Sequence, residues 1–116
     1  GKEMKIGANK VYLTGYKMSN LANEINNVVP GFVTFFSKSK EFNLFERSDN
    51  YPFYKVFNIP SQTISSFDFS NYKYYHHVDD EVNNLNIENL NEIIVSSGLF
   101  IYNFLSEKTK ITFNAN

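Results

Sequence analysis

KVYLTGYKMSNLANEINNVVPGFVTFF, residues 10–36, is the stretch on which the fold turns. Its first part, 10–16, is β-branched and aromatic and ends at Gly15, which reads as a short strand. Ser19 or Asn20 can N-cap the LANEINNVV segment that follows, where Leu21, Ile25 and Val28 or Val29 recur at helical spacing, and Pro30-Gly31 stops it. GFVTFFS then carries a second β-rich run over 32–36.

Downstream the alternation continues. Residues 37–40 are a polar turn, and EFNLFERSDNYPFYKVF (41–57) is an irregular aromatic stretch in which Pro52 fits the first turn of a short helix. IPSQTISSFDF (59–69) is a third strand candidate, with Pro60 at its first residue, where a strand tolerates it. A polar aromatic loop spans 70–86 and includes YKYYHHVDDEVNN. After it, NIENLNEIIVSSGLFIYNFLSEK (86–108) sets Ile87, Leu90, Ile94, Ile101 and Leu105 at three-, four- and seven-residue multiples. This predicts the longest helix, from Ile87 to Glu107, packed on one face of a sheet of three or four strands. The tail ITFN (111–114) can add a last edge strand. Strands covered by crossover helices make the fold class α/β. So thin a sheet is expected to bare an edge at its first strand, 11–16, and to form a homo-oligomer through that edge or by exchange of the long C-terminal helix.

Composition bounds what such a chain can do. Its 116 residues make a single domain, 1–116, with one core. At 42% apolar and 20% charged residues and a formal net charge of −1 it is no polycation built to hold phosphates, so no nucleic acid partner is expected. No apolar run approaches the ~20 residues of a membrane span, and the opening GKEMKIG shows no signal-peptide core. The absence of Cys excludes disulfides, thiolate nucleophiles and Cys-ligated zinc, and leaves the compartment open. No Gly-x-Ser-x-Gly elbow and no Gly-rich phosphate loop exists, so serine hydrolase and nucleotide-binding readings drop out. Twelve Phe and eight Tyr stiffen a small core, while seventeen Asn suit turns and helix caps and are given no functional weight.

His76 and His77 stand side by side after a strand and just ahead of Val78-Asp79-Asp80-Glu81. Imidazole and carboxylate at a strand's end suit a metal or acid–base site. The plainer reading is a solvated loop whose Asp caps the next turn. Adjacent loop residues point different ways, so at most one His faces a given metal, and further ligands must come from elsewhere to close a tetrahedral zinc site. Fainter signals are Ser48-Asp49-Asn50 before YPFY, and Ser61, Ser65 and Ser66 with Asp68. Asp49 is most simply the cap of the short helix at Pro52. The Phe and Tyr cluster at 67–75 can stack on a ligand or line the rim of the core.

Taken together, RSDNYPFYKVFNIPSQTISSFDFSNYKYYHHVDDEVNNLNIENL resembles the C-terminal part of the zinc exopeptidase family that includes bacterial leucyl aminopeptidases, aminopeptidase Y, glutamate carboxypeptidase and glutaminyl cyclase. That family shows Ser-Asp-His-x-Pro-Phe, a Gly-Ile-Pro strand, then Tyr-His-x-x-x-Asp-x-x-x-x-Leu/Ile and a long helix. Matching positions here are Ser48-Asp49-Asn50-Tyr51-Pro52-Phe53, Asn58-Ile59-Pro60, and Tyr75-His76 with Asp80 and Leu85. VYLTGYKMSNLANEIN resembles the strand and helix before this block. Asn50 stands where His is commoner and Asn58 where the family has Gly.

In the family two zinc ions sit at strand ends, held by a His, a bridging Asp, a Glu, a second Asp and a final His, with a further Glu as general base. The resemblance implies that His76 is the final ligand, that His77 occupies a variable position, and that Tyr75 hydrogen-bonds the substrate carbonyl or tetrahedral intermediate. Ser48, Asp49 and Asp80 become supporting or capping positions. Since the other ligands and the base precede this region in family members, it also implies a fragment: the C-terminal half of a three-layer α/β sheet of the phosphorylase/hydrolase-like type. For an intact parent it implies a zinc aminopeptidase acting on peptide substrates by metal-assisted hydrolysis, secreted or periplasmic, and for the chain alone no activity. The alternative is a catalytically inactive peptidase-like module for binding or assembly, since some members have lost zinc.

Overall fold

A computed structural model describes residues 9–36, 43–66 and 86–114. In it β1 (Val11–Leu13) lies between β2 (Val33–Thr34) and β3 (Ile64–Ser65). Val11 and Tyr12 pair in parallel with Val33 and Thr34, while Tyr12 and Leu13 pair antiparallel with Ser65 and Ile64. Among the described residues three helices, α1 (Leu21–Val28), α2 (Tyr51–Phe57) and α3 (Ile87–Glu107), complete a small compact α/β fold with a mixed sheet. No described helix is long and apolar enough to cross a membrane.

The strands are shorter than their sequence runs. β1 stops because Gly15 turns to φ +63°, where an added Cβ would stand 2.8 Å from Met18 Sδ. Alternation along the strand sends Val11 and Leu13 to one face and Tyr12 to the other. Val11, Leu13 and Val33 meet Ala22 and Ile25 of α1, Phe32, and Phe100 of α3. The ring of Tyr12 lies 4.7 Å from that of Phe36. All three β1 residues are 1% exposed. This corrects the expected bare edge at 11–16: β1 is the middle strand, and both of its sides are already paired.

Ser19 and Asn20 divide the work foreseen for a cap. Leu21 N donates to Ser19 Oγ at 3.2 Å, whereas the Asn20 side chain makes no cap bond and clamps the chain end, donating to Lys110 O and accepting from Thr112 N. Asn114 Nδ2 donates to the carbonyls of Lys17 and Ser19, and Phe113 forms an isolated antiparallel bridge with Ser19. The tail is thus tied to the turn after β1 and adds no strand to the sheet.

On α1, Asn26 does the job of a neighbouring strand. Its Nδ2 donates to Val33 O at 2.9 Å and its Oδ1 accepts from Val33 N at 2.8 Å, closing the backbone of β2 on the side away from β1. Val33 is buried, so neither group has water in reserve. Asn26→Ala is expected to lower stability by about 1–2 kcal/mol, read as a fall in urea midpoint with an unchanged slope.

α3 has the bounds read from its sequence but not the orientation that its stripe invites. Ile87, Leu90, Ile94, Ile101 and Leu105 are all exposed. The inward side instead carries Phe100 with the half-buried Ile93 and Phe104, and the buried Asn89 and Ser96. Asn9 satisfies those two polar groups: its N–H donates to Asn89 Oδ1, and its own Oδ1 accepts from Ser96 Oγ at 3.3 Å. Asn86 caps the helix by accepting from Asn89 N at 3.0 Å.

Candidate functional site

The carboxyl ends of parallel strands are where an α/β sheet usually receives a ligand. Here β1 and β2 run parallel, and at their ends Leu13, residues 15–18 and residues 35–36 frame a cleft of about 460 Å³. Tyr16, Phe35, Phe36 and Phe45 supply its aromatic walls. Tyr16 and Phe35 meet edge to face at 5.6 Å, and Lys17 Nζ stands 5.0 Å from the centre of the Phe35 ring. Such a lining can hold an apolar or aromatic group beside one cation. Gly15 marks the strand end in the sequence, but no motif there points to this cleft.

A polar network fixes the rim. Gln62 Nε2 donates to Thr14 O at 3.0 Å and Gly15 O at 2.7 Å, and its Oε1 accepts from the buried Ser19 Oγ. Thr14 N donates to Thr63 O at 2.9 Å, and Thr63 N donates to Thr14 Oγ1 at 3.0 Å. Thr63 Oγ1 in turn donates to Asn50 Oδ1 at 2.8 Å. Asn50, 7% exposed, uses its amide to reach Phe45 O at 3.3 Å and Ser61 O at 2.9 Å. The start of α2 is therefore stapled to the segment leading into β3.

This brings together two of the motifs singled out in the sequence, Ser48-Asp49-Asn50 and the run after Asn58-Ile59-Pro60. Ser48 Oγ donates to Leu44 O at 2.7 Å, closing a local turn. Asp49 is exposed and one position short of the cap, which corrects its expected role: Asn50 holds the N-cap position of α2 and makes no side-chain cap bond there. Pro52 falls in the first turn, as read. Tyr75, His76, His77, Asp79 and Asp80 lie outside the described residues, as does Asp68. Because β3 is antiparallel to β1, it runs from Ile64 beside Leu13 to Ser65 beside Tyr12, away from the cleft at Gly15.

Among the described residues no three His, Asp or Glu side chains gather as a metal would require. Comparison of the chain with family models, curated proteins and solved structures finds no significant match.

Proposed function

We propose that the chain is the C-terminal part of the catalytic domain of a zinc exopeptidase, with His76 as a zinc ligand and Tyr75 as the group that hydrogen-bonds the substrate carbonyl. The observation that carries this reading is Asn58. It stands where the family has Gly, and it adopts φ +51°, ψ +45° at the end of α2, with its N–H on Tyr54 O. That left-handed conformation is the one for which Gly is the ordinary choice and Asn the usual substitute. At a backbone position of this kind Asn is the residue that most readily takes the place of Gly, which supports matching Asn58 to the family's Gly. Further support comes from Asn50, the other departure, whose buried amide joins the two motifs on either side of α2.

Zinc, when bound, supplies polarisation of a peptide carbonyl and an activated water. Among the described residues no set of side chains is placed to hold it. What they contribute in this reading is the scaffold: β3 and α3 flank, in sequence, the segment that carries Tyr75, His76 and Asp80. The test is hydrolysis of an aminoacyl chromogenic substrate. The 116-residue chain alone is expected to show no turnover with added zinc. A parent chain read through the codons preceding Gly1 is expected to show turnover that a chelator removes and His76→Ala abolishes. A parent with no zinc-dependent turnover, or one indifferent to His76→Ala, overturns the reading.

A further inference from the structure

Gly98 sits in the middle of α3, where glycine is the least helix-favouring residue after proline. Among the described residues nothing packs against it. A Cβ at Gly98 would meet nothing within 4 Å, and the backbone there is ordinary helix. Around it, at three, four and seven residues' distance, stand Ile94, Val95, Ile101, Tyr102 and Leu105, exposed by 59%, 57%, 50%, 75% and 76%, with the exposed Asn91 as the one polar neighbour at that spacing. A glycine ringed by bare apolar side chains on an outward helix face permits one thing its neighbours do not, the close approach of another backbone.

We propose that this face is the interface of a symmetric dimer in which α3 of one copy crosses α3 of a second copy antiparallel, with the two Gly98 residues at the crossing. Three observations select a second copy. The face is self-complementary: with Gly98 on the two-fold axis, Ile94 of one copy meets Ile101 of the other, Val95 meets Tyr102 and Leu90 meets Leu105, so apolar residues oppose apolar residues at each of these pairs, and the exposed Asn91 is the polar exception on the face. The ends differ in charge, for Glu88 and Glu92 lie near the start of α3, while at its end Lys108 and Lys110 outnumber Glu107, so that an antiparallel pair sets a net acidic end beside a net basic one where a parallel pair would set acid beside acid. The size also fits. At the exposures given, with Ile87, Leu90 and Leu99 included, the face offers on the order of 800 Å² per copy. That is the amount a stable interface takes from each partner, and more than the roughly 300–600 Å² patch a monomer ordinarily leaves bare.

Because the chain has no cysteine, cross-linking reports on the crossing directly. Light scattering of the 116-residue chain at about 100 μM is expected to give twice its mass of 13.5 kDa. Ile101→Glu, at an exposed position that the core does not need, is expected to give the monomer mass with an unchanged helical signal. Gly98→Leu is expected to weaken association at least tenfold by forcing the helices apart. Under mild oxidation, neither Ile94→Cys nor Ile101→Cys alone is expected to cross-link, while an equal mixture of the two does. A monomer in every condition leaves the face to another protein or to a further part of a longer chain and overturns the proposal. So does an aggregate larger than two copies, a dimer indifferent to Ile101→Glu, or cross-linking of each cysteine variant with itself.

Discussion

Phe32→Ala is expected to cost about 3–5 kcal/mol, a large share of the roughly 5–15 kcal/mol that holds an ordinary domain together. Phe32 is 1% exposed and is shared by every layer of the core. It packs with Val11 and Leu13 of β1 and Ala22 and Ile25 of α1, and its ring lies 6.3 Å from that of Phe100 on α3. Its backbone stays in place after truncation, since Phe32 N donates to Val29 O and Phe32 O accepts from Val11 N. The surroundings are thereby held apart and a cavity is left between the sheet and both covering helices, which is why the upper part of the large-to-small range applies. Urea unfolding of the two proteins measures it. Val56→Ala, at a position 72% exposed on α2, serves as the comparison and should stay within about 0.5 kcal/mol of the parent. A loss below about 1 kcal/mol for Phe32→Ala would mean that α1 and α3 do not share one core with the sheet.

That core shows where sequence reasoning holds and where it stops. The β1–α1–β2 unit was legible because β-branched runs, a helical spacing and Pro30-Gly31 all mark the same boundaries. α3 was legible in extent for a similar reason: Asn86 caps its start, and Lys108 leaves it in the left-handed conformation at φ +52°. Its orientation was not legible. A stripe at seven-residue spacing is ordinarily the packed side, but here the packed side includes Asn89 and Ser96, whose polarity is cancelled by Asn9 some eighty residues earlier in the chain. Periodicity records which side of a helix is apolar; it holds no record of a distant amide that makes a polar side buriable, nor of an apolar side that stays exposed.

The asparagines teach the same point. Read as composition they carried no weight, yet Asn20, Asn26, Asn50, Asn86, Asn89 and Asn114 each place a side-chain amide against backbone elsewhere in the fold or at a helix end. A carboxamide has a donor and an acceptor spaced like those of a peptide group, so it can stand in for a missing strand or turn partner. Nothing in the count says where the partner is. The aromatic cleft escaped notice for a related reason. At 17% aromatic residues, Tyr16, Phe35 and Phe45 had no contrast with their surroundings until Gly15 and the ends of β1 and β2 gathered them.

Asn50→Ala is the second substitution expected to act strongly, at about 2–3 kcal/mol, because one side chain serves three partners. Its removal strips the donor from the carbonyls of Phe45 and Ser61 and the acceptor from the hydroxyl of Thr63, all close to the buried position of Asn50. The methyl of alanine admits no obvious replacement, and α2, which has no buried residue of its own, loses its main tie to the strand it precedes. A double-mutant cycle with Thr63→Val isolates the Asn50–Thr63 bond and should return a coupling of about 1 kcal/mol. Asn50→Asp adds a test of charge. A carboxylate there would face the Phe45 and Ser61 carbonyl oxygens in place of an amide donor, so the site favours the protonated acid and raises its pKa above the ordinary ~3.9. A raised acid pKa stabilises the fold at low pH and loses that contribution as pH rises through the folded-state value. The deficit of Asn50→Asp relative to the parent should therefore widen between pH ~4 and 7, while that of Asn50→Ala stays flat. A flat deficit for both variants, or a cost for Asn50→Ala under about 0.5 kcal/mol, would mean that Asn50 does not staple α2 to the start of β3, and with it would go the link between the two motifs on which the peptidase reading leans.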